Sequence, residues 1–170
     1  MELRQRKKNR LEGYDYGRYG YYFITICVAE RAEMLGKVVG ECRGAHCAPA
    51  HVTLSDIGRV VENAILQIPK YHKRVCIHQY VIMPNHIHMI LALAEDRGRT
   101  MCAPTHRSTV PQIVHGLKET ITKTIGFPIW QKSYHDHIIR NDADYRRIWE
   151  YIDNNPAKWR EDRYYKDGAI

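Results

Sequence analysis

Residues 80–91 read YVIMPNHIHMIL, an apolar run interrupted by Pro-Asn and then by two histidines one residue apart. Pro84-Asn85 is a turn signal. The β-branched and aliphatic residues on either side, VCIHQYVIM (75–83) and HIHMILALA (86–94), predict two strands that return on each other. Side chains alternate between the faces of a strand. His86 and His88 therefore share one face, and Ile87, Met89, Leu91 and Leu93 take the other, where they can enter a core.

Working outward, YYFITICVAE (21–30) is β-branched and aromatic and predicts a further strand. The stretch GKVVGECRGAHCAPAHVTL (36–54) reads as a broken strand or loop. In SDIGRVVENAILQIP (55–69), Ile57, Val60, Val61, Ala64, Ile65 and Ile68 recur at helical spacing. Ser55 is placed as the N-cap and Pro69 as the stop. A second helix is predicted over 108–126, ending at Gly126. A strand is predicted over 129–140 (IWQKSYHDHIIR). A closing helix, DADYRRIWEYIDNNP, runs from 142 to Pro156, with Tyr145, Ile148, Trp149 and Ile152 as its core stripe. Strands interleaved with helices, two of them in a hairpin, predict one α+β domain with an antiparallel sheet.

The chain has 170 residues, a net charge of +7, a pI of about 9.2 and 12 tyrosines among its 17 aromatics. Length and apolar content suffice for a sizeable core. Basic charge with many hydroxylated aromatics suits a polyanion with stackable bases. Cys27, Cys42, Cys47, Cys76 and Cys102 are odd in number and irregularly spaced, with no signal peptide ahead of them, so reduced thiols in the cytoplasm are expected. No apolar run reaches the roughly 20 residues of a membrane helix. CAPAH (47–51) and CAPTH (102–106) share Cys-x3-His. Both lie in loops without visible supporting partners, which argues against a zinc site.

Two neutral imidazoles on one strand face are a natural metal grip, and a metal that activates a phosphodiester usually takes one more protein ligand. On the closing helix, Tyr151 lies off the core stripe and four residues before Asn155. A phenol and a carboxamide thus share a face as a possible nucleophile and oxygen ligand. Asn155 precedes proline, which disfavours helical dihedrals, so Asn154 is the alternative ligand. Tyr134, beside His135 and His137, is the rival nucleophile. Ile90 stands where a histidine-triad nucleotide hydrolase would carry its third histidine.

YVIMPNHIHMIL, IWQKSYHDHIIR and EYIDNNPAKW, in this order and spacing, resemble the REP-associated tyrosine transposases, single-tyrosine members of the HUH endonuclease superfamily (U is a hydrophobic residue). The resemblance spans about residues 14–165. It implies a central antiparallel sheet with packed helices, of the ferredoxin or RNA-recognition (palm) type. Its domain would follow a basic arm (1–13) and precede a short tail (166–170). It implies cutting and rejoining of single-stranded DNA beside a palindromic hairpin through a 5′-phosphotyrosine. Tyr151 matches the nucleophile. His86, His88 and Asn155 match the ligands of Mg2+ or Mn2+. Arg4, Arg6, Lys7, Lys8, Arg10, Lys118, Lys123 and Lys132 are candidates for phosphate contacts, and Tyr14, Tyr16 and Tyr19 for base stacking. The implied setting is cytoplasmic and on the nucleoid, as a monomer or homodimer. The alternatives are a regulator of the same fold that binds nucleic acid without cutting it, and a metal-dependent RNA or nucleotide hydrolase that does not use the tyrosine.

Overall fold

The computed structural model describes residues 10–40, 49–95 and 108–165. The Pro84-Asn85 turn joins strands β4 (Val75–Met83) and β5 (His86–Leu93), paired antiparallel with Met83 opposite His86. On the other side of β5 lies β1 (Gly20–Cys27), and beyond it the short β6 (His135–Ile139). The main sheet thus has the order β4-β5-β1-β6 with every pair antiparallel. β2 (Gly36–Val39) and β3 (His51–Leu54) form a separate two-stranded ribbon, so part of the stretch read as broken strand or loop is regular.

Helices α1 (Asp56–Tyr71) and α2 (Val110–Ile125) cover one face of the sheet. Val61, Ile65 and Ile68 of α1 and Ile113, Leu117 and Ile121 of α2 meet Tyr22, Ile24 and Ile26 of β1 and Ile87, Met89 and Leu91 of β5. Helix α3 (Asp142–Asn154) covers the other face, where Ile148 and Ile152 pack on Ile90 and Ile139. Central and covered on both sides, all eight residues of β5 are buried, as is usual for strands with two covered faces. The alternation predicted for β5 holds. Ile87, Met89, Leu91 and Leu93 belong to the α1/α2 core, while His86 and His88 lie on the α3 side with Ile90.

Four local expectations are corrected. α1 runs past Pro69 to Tyr71 and closes with the His72 N–H on the Ile68 carbonyl, 3.0 Å. A proline in the last turn removes one helical bond and keeps a helical φ, so it does not stop the helix where it stands. β1 ends at Cys27 because Glu30 and Arg31 adopt left-handed φ values of 55° and 58° and turn the chain. β6 starts only at His135. The 131–133 segment before it is instead held by the Lys118 ammonium, which donates to the Gln131 and Ser133 carbonyls at 2.9 Å each. On α3 the stripe is narrower than predicted: Trp149 is 36% exposed, and half-buried Tyr145 bonds His78 through its hydroxyl. A bulge in β4 between Ile77 and Gln79 brings His78 beside Tyr145, and no residue pattern announced it.

Gly58 marks where α1 touches the ribbon. A Cβ there would meet the Leu35 carbonyl oxygen at 2.0 Å, which is backbone and cannot yield cheaply. Gly58→Ala should cost roughly 2–3 kcal/mol through overpacking. Gly116 on α2 has open space around the same position, so Gly116→Ala should add roughly 0.5–1 kcal/mol from helix propensity alone. Denaturant titration of the two variants checks the opposite signs.

Candidate active site

The register of β1 and β5 places Thr25 opposite His88 and Cys27 opposite His86. The Thr25 hydroxyl lies 2.9 Å from His88 Nδ1. On the other imidazole, His86 Nδ1 is 2.8 Å from Asn85 Oδ1. Asn85 donates its amide to the carbonyls of Tyr164 (2.9 Å) and Arg31 (3.3 Å), so its oxygen is the acceptor and His86 Nδ1 carries the proton. His86 Nε2 therefore presents a lone pair. It faces His88 Nε2 at 3.0 Å. A proton or a cation must sit between two such nitrogens, since bare lone pairs would repel.

Aromatic rings wall the pair. Phe23 stacks on His88 with centroids 5.2 Å apart, and Tyr164 lies 4.5 Å from His86. His86 and His88 are 0% and 1% exposed. Burial pushes the His86 pKa down to about 4, partly opposed by the negative charge of Asp162. Burial, then the neighbouring His86, drives His88 well below the usual imidazole range. Both imidazoles are thus neutral near pH 7, the form that binds metals.

Tyr151 reaches the pair from α3. Its hydroxyl is 3.2 Å from His88 Nε2 and donates to Asp162 Oδ2 at 3.0 Å, while the residue stays 39% exposed. Burial of the hydroxyl, then Asp162, raises its pKa well above that of a free phenol. Asn155 keeps right-handed helical dihedrals (φ −59°, ψ −41°) despite the proline after it, and it is buried. Its N–H bonds the Ile152 carbonyl and its side-chain amide donates to Asp162 Oδ2 at 2.8 Å. Asn155 Oδ1 is buried with no hydrogen-bond partner among the described residues. Asn154 is exposed and bonds back to the Glu150 carbonyl, away from this network.

A nitrogen pair, an orphaned buried amide oxygen and a nearby carboxylate are a donor set suited to a divalent cation. His86, His88 and Asp162 each offer a ligand atom within 4.8 Å of the others. The sequence reading missed Asp162, which lies in the charge-rich stretch WREDRYY (159–165) after the helix. It also took Asn85 only as a turn residue. Neither carries a spacing signal, because both act through chain segments that meet only in three dimensions.

The rival Tyr134 is buried on the α1/α2 side of the sheet, and burial pushes its hydroxyl up to about 12. Among the binding candidates, Tyr16 is a correction. It is 8% exposed, part of the core beneath Tyr14 and Tyr22, and its hydroxyl accepts from the Leu11 N–H, so it cannot stack on a base. Lys118 is a second correction, since its ammonium is bound to two backbone carbonyls and is half-buried. Lys123 is exposed and paired with Glu119 at 2.7 Å; Lys132 and Tyr19 are exposed; Tyr14 is half-buried. The Arg10 guanidinium lies over the Tyr134 ring at 5.0 Å. Arg4, Arg6, Lys7 and Lys8, and most of the two Cys-x3-His stretches, lie outside the described residues; Cys27 and Cys76 are free thiols. No helix among the described residues is long and apolar enough to cross a membrane.

Comparison with known proteins points to transposases. No family model matches the chain. An uncharacterized protein of Haemophilus influenzae is 32% identical over 97% of this chain and 96% of its own length. The REP-associated tyrosine transposase of Escherichia coli is 32% identical over 85% of this chain and 73% of its own. A solved structure of a REP-associated tyrosine transposase bound to a REP hairpin shares the fold, with a TM-score of 0.62 at 22% identity over 88% of this chain and 73% of that one. The chain belongs to the REP-associated tyrosine transposase family.

The buried histidines make stability depend on pH. They stay neutral in the folded protein, whereas in the unfolded chain they take up protons near pH 6.5. The unfolded state therefore binds more protons below that point. Stability should be fully present above pH 7 and fall as pH drops from about 6.5 toward 4. Thermal unfolding in chelator at pH 7.5 and 5.0 checks this. The wild type should lose more stability across the window than the His86→Gln/His88→Gln variant, and equal losses would sink the assignment.

Proposed function

We propose that this transposase cuts and rejoins single-stranded DNA beside a palindromic hairpin, with Tyr151 as nucleophile and His86, His88 and Asn155 as ligands of Mg2+ or Mn2+. The observation that carries the reading is the approach of the hydroxyl of Tyr151, a residue 39% exposed, to within 3.2 Å of a buried histidine nitrogen. The hairpin substrate is supported by the REP hairpin held by the solved relative of the same fold.

Bound there, the cation would polarise a non-bridging oxygen of the scissile phosphate and align the phosphate. Asn85 turns the His86 Nε2 lone pair toward the site, and the Thr25 hydroxyl can accept the His88 Nδ1 proton so that His88 Nε2 presents a second lone pair to the same point. Tyr151 Oη gives up its hydroxyl proton and forms a bond to phosphorus, the bond from phosphorus to the 3′ oxygen breaks, and the departing oxygen takes up a proton, so that one proton is lost and one gained. The 5′ phosphate stays on Tyr151. Because this phosphodiester conserves the bond energy, an incoming 3′ hydroxyl can reverse the step and join strands. Arg10, Lys123 and Lys132 would contact phosphates, and Tyr14 and Tyr19 would stack on unpaired bases. Binding by such contacts weakens steeply with salt.

Tyr151→Phe removes one hydroxyl and should abolish the covalent adduct with a labelled hairpin bearing single-stranded flanks, while Tyr134→Phe retains it. Denaturing gels of both variants in Mg2+ or Mn2+ make the comparison. An adduct that survives in Tyr151→Phe would rule out the proposed nucleophile, and a wild type that cuts the hairpin without forming an adduct would favour a histidine-based hydrolase. A wild type that binds the hairpin and forms no adduct would favour a regulator that does not cut.

A further inference from the structure

The site is closed by a circuit of hydrogen bonds that passes through Asp162. Tyr151 Oη donates to Asp162 Oδ2 (3.0 Å), and Asp162 Oδ1 accepts from the Tyr164 N–H (2.7 Å). The Tyr164 carbonyl accepts from Asn85 Nδ2 (2.9 Å), and Asn85 Oδ1 accepts from His86 Nδ1 (2.8 Å). His86 Nε2 faces His88 Nε2 (3.0 Å), which returns to Tyr151 Oη (3.2 Å). One branch of this ring reaches the end of α3: Asn155 Nδ2 donates to the same Asp162 Oδ2 at 2.8 Å.

The segment that carries Asp162 is anchored on both sides. Trp159 and Tyr164 are buried against Cys27 and Met83 at the ends of β1 and β4. The short 3-10 turn Trp159–Glu161 is closed by the Asp162 N–H on the Trp159 carbonyl, 3.1 Å. The carboxylate is therefore fixed relative to the sheet before it meets anything from α3.

Two atoms compete for the place of third ligand. Both Asp162 oxygens already accept, Oδ2 from two donors and Oδ1 from one. Asn155 Oδ1 is buried and accepts from nothing among the described residues. An unsatisfied buried acceptor is costly, and it is the acceptor with most to gain from a cation. Asp162 also decides which end of the Asn155 amide is free, because a carboxylate can only accept and so takes the NH2 end.

We infer that Asp162 is the positioning residue of this site: one carboxylate oxygen holds the Tyr151 hydroxyl and the Asn155 amide nitrogen, so that nucleophile and amide oxygen are presented together to the His86–His88 pair. This rests on the proposed reading of the site and adds a role that reading does not contain. Asp162 holds its neighbours rather than the metal.

The test is calorimetric titration of the whole protein with Mn2+ in the absence of DNA, which reads metal affinity independently of which residue attacks. Asp162→Ala should weaken Mn2+ binding roughly 10- to 100-fold, the usual effect of losing a group that orients a ligand. Asp162→Asn keeps an acceptor oxygen toward Tyr151 and Asn155 and should stay within a few-fold of wild type. Asp162→Ala made in an Asn155→Ala background should cost little more than Asn155→Ala alone, because no amide is left to orient. At saturating Mn2+, Asp162→Ala should slow adduct formation while hairpin affinity holds. Loss of Mn2+ binding in Asp162→Asn as complete as in His86→Ala would make Asp162 a direct ligand and overturn the inference. Additive losses in the double variant, or unchanged Mn2+ affinity in Asp162→Ala, would overturn it as well. A wild type that binds no Mn2+ refutes the proposed metal site along with the inference, whereas an adduct surviving in Tyr151→Phe refutes only the choice of nucleophile.

Discussion

Two imidazole nitrogens 3.0 Å apart, inside a strand whose every residue is buried, are the constraint around which this molecule is arranged. Neutral polar rings tolerate such burial only when their hydrogen-bonding atoms are satisfied. Thr25 and Asn85 meet that need on the Nδ1 side. The Nε2 side is left for what approaches from α3 and from the chain beyond it. Burial that keeps the histidines neutral also makes them poor proton acceptors and good ligands.

The fold supplies each partner from a different place. β1 brings Thr25 and Phe23 by register, the hairpin turn brings Asn85, α3 brings Tyr151 and Asn155, and the following segment brings Asp162 and Tyr164. Among the described residues, the α1/α2 side contributes no side chain to this network and serves as the apolar base on which the sheet rests. This division explains why two histidines can occupy a central strand. One face of β5 enters the α1/α2 core, and the other carries the histidine pair beside Ile90.

How much of this was legible in the sequence depended on whether a signal was local. The β4–β5 hairpin was legible to within a residue because a turn dipeptide and period-two alternation lie next to each other in the chain. The two histidines and the Tyr151/Asn155 pair were legible because strand and helix periodicities act over two and four residues. The exposure of Trp149, the left-handed turn at Glu30–Arg31 and the β4 bulge were not, since each is decided by what packs against it. Tyr16 looked like one more exposed aromatic in a tyrosine-rich arm, yet it is core, because the chain after Arg10 folds back over β1. Asp162 was invisible for the same reason: its partners lie 7 and 11 residues away on a helix and, through Tyr164 and Asn85, on the hairpin turn.

The central claim is that the buried pair is half of a metal site completed by Asn155. Crystals grown with Mn2+ and measured at the manganese absorption edge test it most directly. The expected result is a single strong anomalous peak within bonding distance of His86 Nε2, His88 Nε2 and Asn155 Oδ1. A map with no peak at the histidines, or a peak bound there by Asp162 in place of Asn155, would contradict it.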